Sequence, residues 1–531
     1  MQEAPREEID ALVIGAGITG LYQLYCLLDL GLDARIYEAA EGVGGTWYWN
    51  RYPGARLDSE SWTYAYSFSP ELLQEWDWSE SFVGQPELER YLNHVADRFD
   101  LRPHIRLGTR VRSARFDDRT SRWEVETEDG HRASARFVIA ATGLLSANYL
   151  PDIPGIDRFE GLSFHTARWP HEPVDFRGKR VGVIGTGSTG VQVIPKVAEE
   201  CAHLTVFQRT PNYCSPLRNA PISPDRMREI KQDYDSVFET CRKSVGGFIH
   251  SPEPRSTFDV TPEERQAFYE NLWKQPGFAK WFGNFEDLMT DREANEAYCE
   301  FVRNKIRERV DDPEVAEKLC PKNHHYGAKR VPLETDYYEA YNRENVLLVD
   351  VREDPIQQIT PGGVETASES YDLDVLIYAT GFDAATGEVM RMDIRGVGDQ
   401  SLREHWAEGV SMYMGLQTAG FPNLFFENGT LFCNFTRCAE ATAEFVSRCL
   451  GYMRDHGYQR IEAEHEAEAR WVERVRASGA ENLISDVSNW MNGTNIPGKL
   501  KAELIFAEGF PAYLEVCAEV EAKGYDGFDL R

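Results

Sequence analysis

The chain of 531 residues is short of positive charge: 57 Lys and Arg stand against 87 Asp and Glu, for a formal net charge of −30. Such a field repels phosphate backbones and anionic lipid, so neither nucleic acid nor a membrane surface is an expected partner. Long apolar runs are missing as well. Ala11–Ile14 and Val375–Ala379 fall far short of a membrane span. The opening Met1-Gln-Glu-Ala-Pro-Arg-Glu-Glu has no basic n-region and no apolar h-region, so a soluble, cytoplasmic protein is expected. Ten cysteines include no Cys-x-x-Cys, and the nearest pairs, Cys433/Cys438 and Cys438/Cys449, match no zinc or dithiol spacing. No metal is therefore expected, and the cysteines read as small buried hydrophobes in a reducing compartment. No low-complexity tract appears. With 42% hydrophobic and 27% charged residues, and at about 150 residues per domain, the chain reads as several globular units with full cores.

Two segments repeat one design. The first runs Ile9–Ile14, Gly15-Ala-Gly17-Ile-Thr-Gly20, a helical stretch to Leu30 and a second strand at Asp33–Glu38. The second runs Arg180–Ile184, Gly185-Thr186-Gly187-Ser188-Thr189-Gly190, a helical stretch to about Cys201 and a strand at Leu204–Gln208. Strand, glycine turn, helix and strand make the βαβ dinucleotide unit, in which the glycines allow a tight turn, close approach to a pyrophosphate and close helix–strand packing. The helix N-terminus supplies the anion site. One such motif is weak; two, both framed by strand and helix, are specific.

The end of each second strand distinguishes the ligands. An acid there takes the ribose hydroxyls, and Glu38 stands 23 positions after Gly15. The same offset from Gly185 reaches Gln208, followed by Arg209. An acid lost and a cation gained suit a 2′-phosphate. FAD is thus expected at the first unit and NADPH at the second.

An apolar strand closing on Ala-Thr-Gly occurs twice, at Arg136–Gly143 and at Asp374–Asp383, as if the chain leaves and re-enters paired nucleotide domains. Residues 221–320 differ: polar runs with aromatics at helical intervals, as in Met227–Lys243 and Pro262–Trp281, predict a helical insertion. A charged helix is expected around Ala463–Ala477. The fold class is α/β, with two Rossmann-like dinucleotide-binding domains and the insertion. The expected FAD domain covers 1–145 and 381–531, the NADP domain 153–220 and 333–380, and the insertion 221–332.

The stretch Phe159-Glu-Gly161-Leu-Ser-Phe-His165-Thr-Ala-Arg-Trp169-Pro170 matches F-x-G-x-x-x-H-x-x-x-W-P at every specified position, just ahead of the second glycine motif. On it, and on Gly44–Gly54, Lys329-Arg330, Ala379–Asp383 and Asn495–Lys499, nearly the whole chain resembles the type I Baeyer–Villiger monooxygenases, a branch of the class B flavoprotein monooxygenases. The resemblance implies reduction of FAD by NADPH, addition of O₂ to give a C4a-peroxyflavin anion, attack on a ketone and rearrangement of the tetrahedral adduct to an ester or lactone. It implies a catalytic pair, Arg330 as the cation and Asp58 beside it tuning its position and charge, and flavin contacts from Gly45, Thr46, Trp47 and Asp58 in addition to Gly15, Gly17, Gly20 and Glu38. For NADP the expected contacts are Gly185, Thr186, Gly187, Ser188, Thr189, Gly190, Gln192, Arg209, Lys329 and Trp490. Phe159, Gly161, His165, Trp169 and Pro170 are implied to be architectural, with His165 coupling the domains rather than making bonds.

Two rivals differ in class. A heteroatom-oxidising flavin monooxygenase usually lacks the Trp-Pro ending, and a dithiol reductase would need the missing Cys-x-x-Cys. A non-catalytic, redox-sensing flavoprotein would not need a fully equipped NADPH site. The expected partners are a ketone and O₂, and the expected state is a monomer or weak homo-oligomer.

Overall fold

The computed structural model describes residues 6–427, 433–499 and 505–531; most of the opening segment read for a leader, Met1–Pro5, lies outside them. Two parallel βαβ units organise the chain. In the first, β1 (Glu7–Ile14) leads through Gly15–Gly17 into α1 (Ile18–Asp29) and back through β2 (Ala34–Tyr37). β1 is buried on both faces at Ala11–Val13, as a central parallel strand requires. It lies between β2 and the strand Arg132–Ala140, and Ile14 pairs with both Tyr37 and Ala140. Among the described residues the full sheet has eight strands. The antiparallel pair Val111–Asp117 and Arg122–Thr127 extends it on one side, and two late strands, Asp393–Arg395 and Leu424–Phe426, complete it.

In the second unit β3 (Arg180–Ile184) leads through Gly185–Gly187 into α2 (Ser188–Glu200) and β4 (His203–Gln208). Its five-stranded sheet is wholly parallel, in the order Val346–Asp350, β4, β3, Val375–Tyr378, Leu162–His165. The two sheets share a plan. Each glycine strand is flanked by the strand that ends in Ala-Thr-Gly, and the carbonyl of that alanine stands against the first glycine. A Cβ on Gly15 (φ +110°) would lie 2.5 Å from the Ala141 oxygen, and one on Gly185 (φ +109°) 2.5 Å from that of Ala379. The repeated Ala-Thr-Gly is therefore the other wall of each glycine turn.

Between Pro221 and Pro332 the described elements are helices. The short parallel pairing of Ser215–Pro216 with Leu333–Glu334 closes the neck of this segment. Two expected helices are broken in ways local chemistry explains. The run from Pro262 starts on a Thr261/Glu264 capping box with Pro262 in the first turn, but stops at Lys274 because Gln275 precedes Pro276 and is held extended. The run Met227–Lys243 divides at Asp233, which ends Pro224–Gln232 and opens Tyr234–Lys243. The charged helix expected around Ala463–Ala477 spans His465–Gly479. Among the described residues no helix is long and apolar enough to cross a membrane, and no group of His, Cys, Asp or Glu could hold a metal ion.

Candidate active site

One cavity of about 1710 Å³ runs from the first glycine turn to the second. At its first end it is lined by Gly15, Gly17, Glu38, Gly45, Thr46 and Trp47. Gly45, at φ +55°, brings its backbone so close to Gly17 that a Cβ would sit 2.8 Å from the Gly17 Cα. Thr46 opens the single turn Thr46–Trp49, and the Trp47 indole N–H donates to the Tyr64 hydroxyl (3.2 Å). Glu38 is 5% exposed and accepts the Ala16 and Ala40 N–H groups at 2.6 and 2.7 Å, so its carboxylate is fixed across the turn. Burial pushes its pKa up, and those two N–H bonds oppose the push. Gly20 is not in the cavity; its missing Cβ would lie 1.9 Å from the Gly15 oxygen, so its work is to seat α1 on the turn. Together these features fit the narrow, anion-facing cradle a flavin dinucleotide needs.

The second end repeats the arrangement. Gly185, Thr186, Gly187, Ser188, Thr189 and Gln192 line it, while Gly190 is withdrawn, with a Cβ position 2.3 Å from the Gly185 oxygen. A Cβ on Gly187 would meet no protein atom within 4 Å, which leaves its backbone open to a ligand. Gln208, at the end of β4, turns inward and donates to the Lys318 carbonyl (2.8 Å), leaving Arg209 exposed at the cavity wall. Lys329 lies close to Arg209 and donates to the Ser488 carbonyl (2.5 Å); burial and the neighbouring guanidinium pull its pKa down. Trp490 lines the same end. The donor set fits a phosphorylated nicotinamide dinucleotide.

The two ends are stitched together. The Tyr52 hydroxyl donates to Gln192 Oε1 (2.8 Å), Gln192 Nε2 donates to the Arg56 carbonyl (3.2 Å), and Gly54 has no room for a Cβ against the Gln192 carbonyl at 2.5 Å. Where they meet, Arg330 forms an ion pair with Asp58, both side chains partly exposed to the cavity. The Arg330 guanidinium lies 5.2 Å over the Phe278 ring, and its carbonyl accepts from Asn212 Nδ2 (3.1 Å). A cation so held by charge, ring and backbone has little freedom to reorganise.

Phe159, Gly161, His165, Trp169 and Pro170 do not line the cavity. Trp169 packs on Phe164, and a Cβ on Gly161 would lie 2.6 Å from the Asp374 oxygen. His165 Nδ1 accepts the Ala167 N–H (3.0 Å), which leaves Nε2–H facing the Tyr149 carbonyl (3.2 Å) and the Thr380 hydroxyl (3.3 Å). The ring thus joins the crossover after Gly143 to the second Ala-Thr-Gly. Burial lowers its pKa from 6.5 to about 4. A depressed folded pKa means stability that is complete above 6.5 and lost as pH falls through about 4. The melting-temperature gap between the parent and His165→Asn should therefore shrink from pH 6.5 down to about 4; a constant gap would disprove this coupling.

Sequence reasoning missed three contributors. Arg168, an unspecified position of the fingerprint, lines the cavity and stacks 4.3 Å over Trp49. Phe278 carries no motif, and Tyr52 became visible only through its bond to Gln192. One expectation fails. Cys433 and Cys438 are not isolated buried hydrophobes but are joined by a disulfide, and both line the cavity. Spacing hid them because Cys433 precedes the helix α3 (Phe435–His456) and Cys438 lies within its first turns.

The family model described as flavin-binding monooxygenase-like matches residues 9–214. The chain is 48% identical to 2-oxo-Δ(3)-4,5,5-trimethylcyclopentenylacetyl-CoA monooxygenase of Pseudomonas putida, over 98% of each chain. It is 42% identical to a Baeyer–Villiger monooxygenase of Pseudooceanicola batsensis, over 98% of this chain and 95% of that one. Among solved structures, that of OTEMO in complex with FAD and NADP superposes with a TM-score of 0.96 at 48% identity, over 99% of this chain and all of the other. With two nucleotide cradles opening on one cavity and relatives this similar over their full length, the chain belongs to the flavin-binding monooxygenase-like family and, within it, to the type I Baeyer–Villiger monooxygenases.

Proposed function

We propose that this NADPH- and FAD-dependent enzyme inserts one atom of O₂ beside a ketone carbonyl to give an ester or lactone, with FAD in the first cradle, NADPH in the second and the ketone beside Arg330. The observation that carries the reading is the Arg330–Asp58 ion pair at the meeting point of the cradles. Bound FAD would supply the reaction with O₂ that makes oxygen nucleophilic. Arg330 then contributes a permanent positive charge where an oxyanion develops at the attacked carbonyl, without easily giving up a proton to the attacking oxygen. Asp58 is a positioning residue: it holds the guanidinium from one side while Phe278 holds its face. Gly15, Gly17, Glu38, Gly45, Thr46 and Trp47 would bind FAD, with Gly20 supporting the turn. Gly185, Thr186, Gly187, Ser188, Thr189, Gln192, Arg209, Lys329 and Trp490 would bind NADPH, with Gly190 as the corresponding support. A ketone panel with NADPH, analysed by gas chromatography–mass spectrometry, tests the reaction. Products that gain one oxygen support it, whereas oxygenation confined to amines or sulfides would replace it with heteroatom oxidation.

The exposed Arg209, with Gln208 turned away, predicts preference for the 2′-phosphate. A charge-assisted hydrogen bond is worth ~1.5–3 kcal/mol, so kcat/KM should favour NADPH over NADH by roughly 10- to 100-fold. Arg209→Ala should erode this through the KM for NADPH. Equal use of both nucleotides by the parent would refute it.

A further inference from the structure

Cys433 and Cys438 are the one cysteine pair joined among the described residues; the other eight are free, and seven of those are buried. Their positions are specific. Asn434 is the N-cap of α3, so Cys433 stands just before the cap and Cys438 at the fourth helical residue. These are the two places where an apolar contact ordinarily fixes how a chain enters a helix; here the contact is covalent. Cys433 also packs under the loop that carries Phe248, with its Cβ 3.5 Å from the Cβ position of Gly247. Phe248 packs tilted against Phe278, with ring centroids 5.1 Å apart, and Phe278 carries Arg330 on its face. The pair therefore lies two aromatic rings from the cation of the site, on the same cavity, and Phe435, the first residue of α3, lines that cavity beside it.

We propose that Cys433 and Cys438 form a reversible dithiol–disulfide that hydrogen peroxide released in this cavity oxidises, and that its closure resets the start of α3 and with it the ketone end of the cavity. The source of peroxide rests on the reading that reduced flavin meets O₂ here. The step balances. The thiolate sulfur of one cysteine attacks a peroxide oxygen, the O–O bond breaks, and the departing hydroxide takes a proton and leaves as water. The resulting sulfenic acid is attacked by the second sulfur, the S–O bond breaks, and a second water leaves with the remaining thiol proton. Two thiols lose two electrons and one peroxide gains them. An external thiol reverses the bond by exchange. Cys438 sits in the first turns of α3, where the backbone N–H groups favour a thiolate, so it is the residue that attacks first.

The test uses the holoenzyme, reduced with a thiol, desalted and treated with hydrogen peroxide, followed by alkylation and peptide mass spectrometry. Cys433 and Cys438 should pass from two alkylated peptides to one disulfide-linked species while the seven buried cysteines stay unmodified. Aerobic NADPH without ketone should do the same, and catalase should prevent it. The closed form should show a several-fold change in KM for the ketone and an unchanged KM for NADPH. Cys433→Ser and Cys438→Ser should each abolish the response of that KM to peroxide. A pair that stays alkylatable after added peroxide overturns the proposal, as does a disulfide that forms without any change in ketone KM. Both readouts come from the parent protein, so they hold even if a serine variant fails to fold. If added peroxide closes the bond but aerobic NADPH does not, and NADPH is not consumed, the flavin reading fails and the dithiol stands. If NADPH is consumed with peroxide release yet the bond stays open, the proposed source is wrong.

Discussion

Arg330→Ala should bind FAD and be reduced by NADPH much as the parent is, yet yield almost no ester. Its guanidinium is held by Asp58 and the face of Phe278, and its backbone by the Asn212 amide, so it is already in place when charge develops. Losing a preorganised donor of this kind typically costs on the order of 10²–10³ in rate, or ~2.7–4 kcal/mol. Electrons that no longer reach product should appear as hydrogen peroxide, so the ratio of ester to NADPH consumed should collapse while NADPH consumption continues. Lys329→Ala should behave differently, with a raised KM for NADPH and coupling largely kept, because Lys329 faces Arg209 rather than Asp58. Product analysis with a peroxide assay separates the two. Ester formation by Arg330→Ala at close to the parental yield per NADPH would remove Arg330 from the chemistry.

The second large effect separates two glycines three residues apart. A methyl group at Gly187 would touch no protein atom, so Gly187→Ala should fold, melt and hold FAD as the parent does. The methyl group instead occupies the approach to the dinucleotide phosphates. Loss of one charge-assisted contact, ~1.5–3 kcal/mol, raises the KM for NADPH by roughly 10- to 100-fold. Gly190→Ala should do the reverse of this selectivity. Its Cβ would lie 2.3 Å from the Gly185 carbonyl oxygen, so α2 must move off β3, at a cost of ~1–3 kcal/mol in stability before any ligand is added. Thermal melts of the two variants, read beside NADPH titrations, check both. Equal loss of melting temperature in the two would show that Gly187 is structural as well.

The parts of this architecture legible in the sequence are those set by local rules. Gly15, Gly17 and Gly20, and their counterparts at 185, 187 and 190, are forced by turns and contacts within a few residues, so spacing alone locates both units. The Ala-Thr-Gly repeats were visible as a pattern, but their use as walls for Gly15 and Gly185 needed the sheet order. Arg330 and Asp58 are 272 positions apart, and no periodicity joins them; only the family resemblance pointed there. The helix breaks at Asp233 and before Pro276 were readable from turn chemistry but were overridden by the apolar spacing on either side. The cysteine pair was opaque because its partners straddle a helix start, where sequence distance stops tracking distance in space.

The order of the strands has a consequence for how the protein is made. The five strands of the second sheet lie between Leu162 and Tyr378, but the first sheet, begun at Glu7, is not complete until Leu424–Phe426 pairs with Arg132–Ala140. During synthesis the domain that starts first is therefore finished last. The Val138–Ala140 end of its central strand must wait with that edge unpaired while more than half the polypeptide emerges. Long-range parallel pairing of this kind is slow and exposes sticky surface. The Arg330–Asp58 contact can form earlier, once the chain has emerged through Arg330, since its partners lie 272 positions apart. A nascent chain can thus complete its second sheet well before it can complete the first, whereas the second cradle still waits for Trp490, which emerges after both sheets.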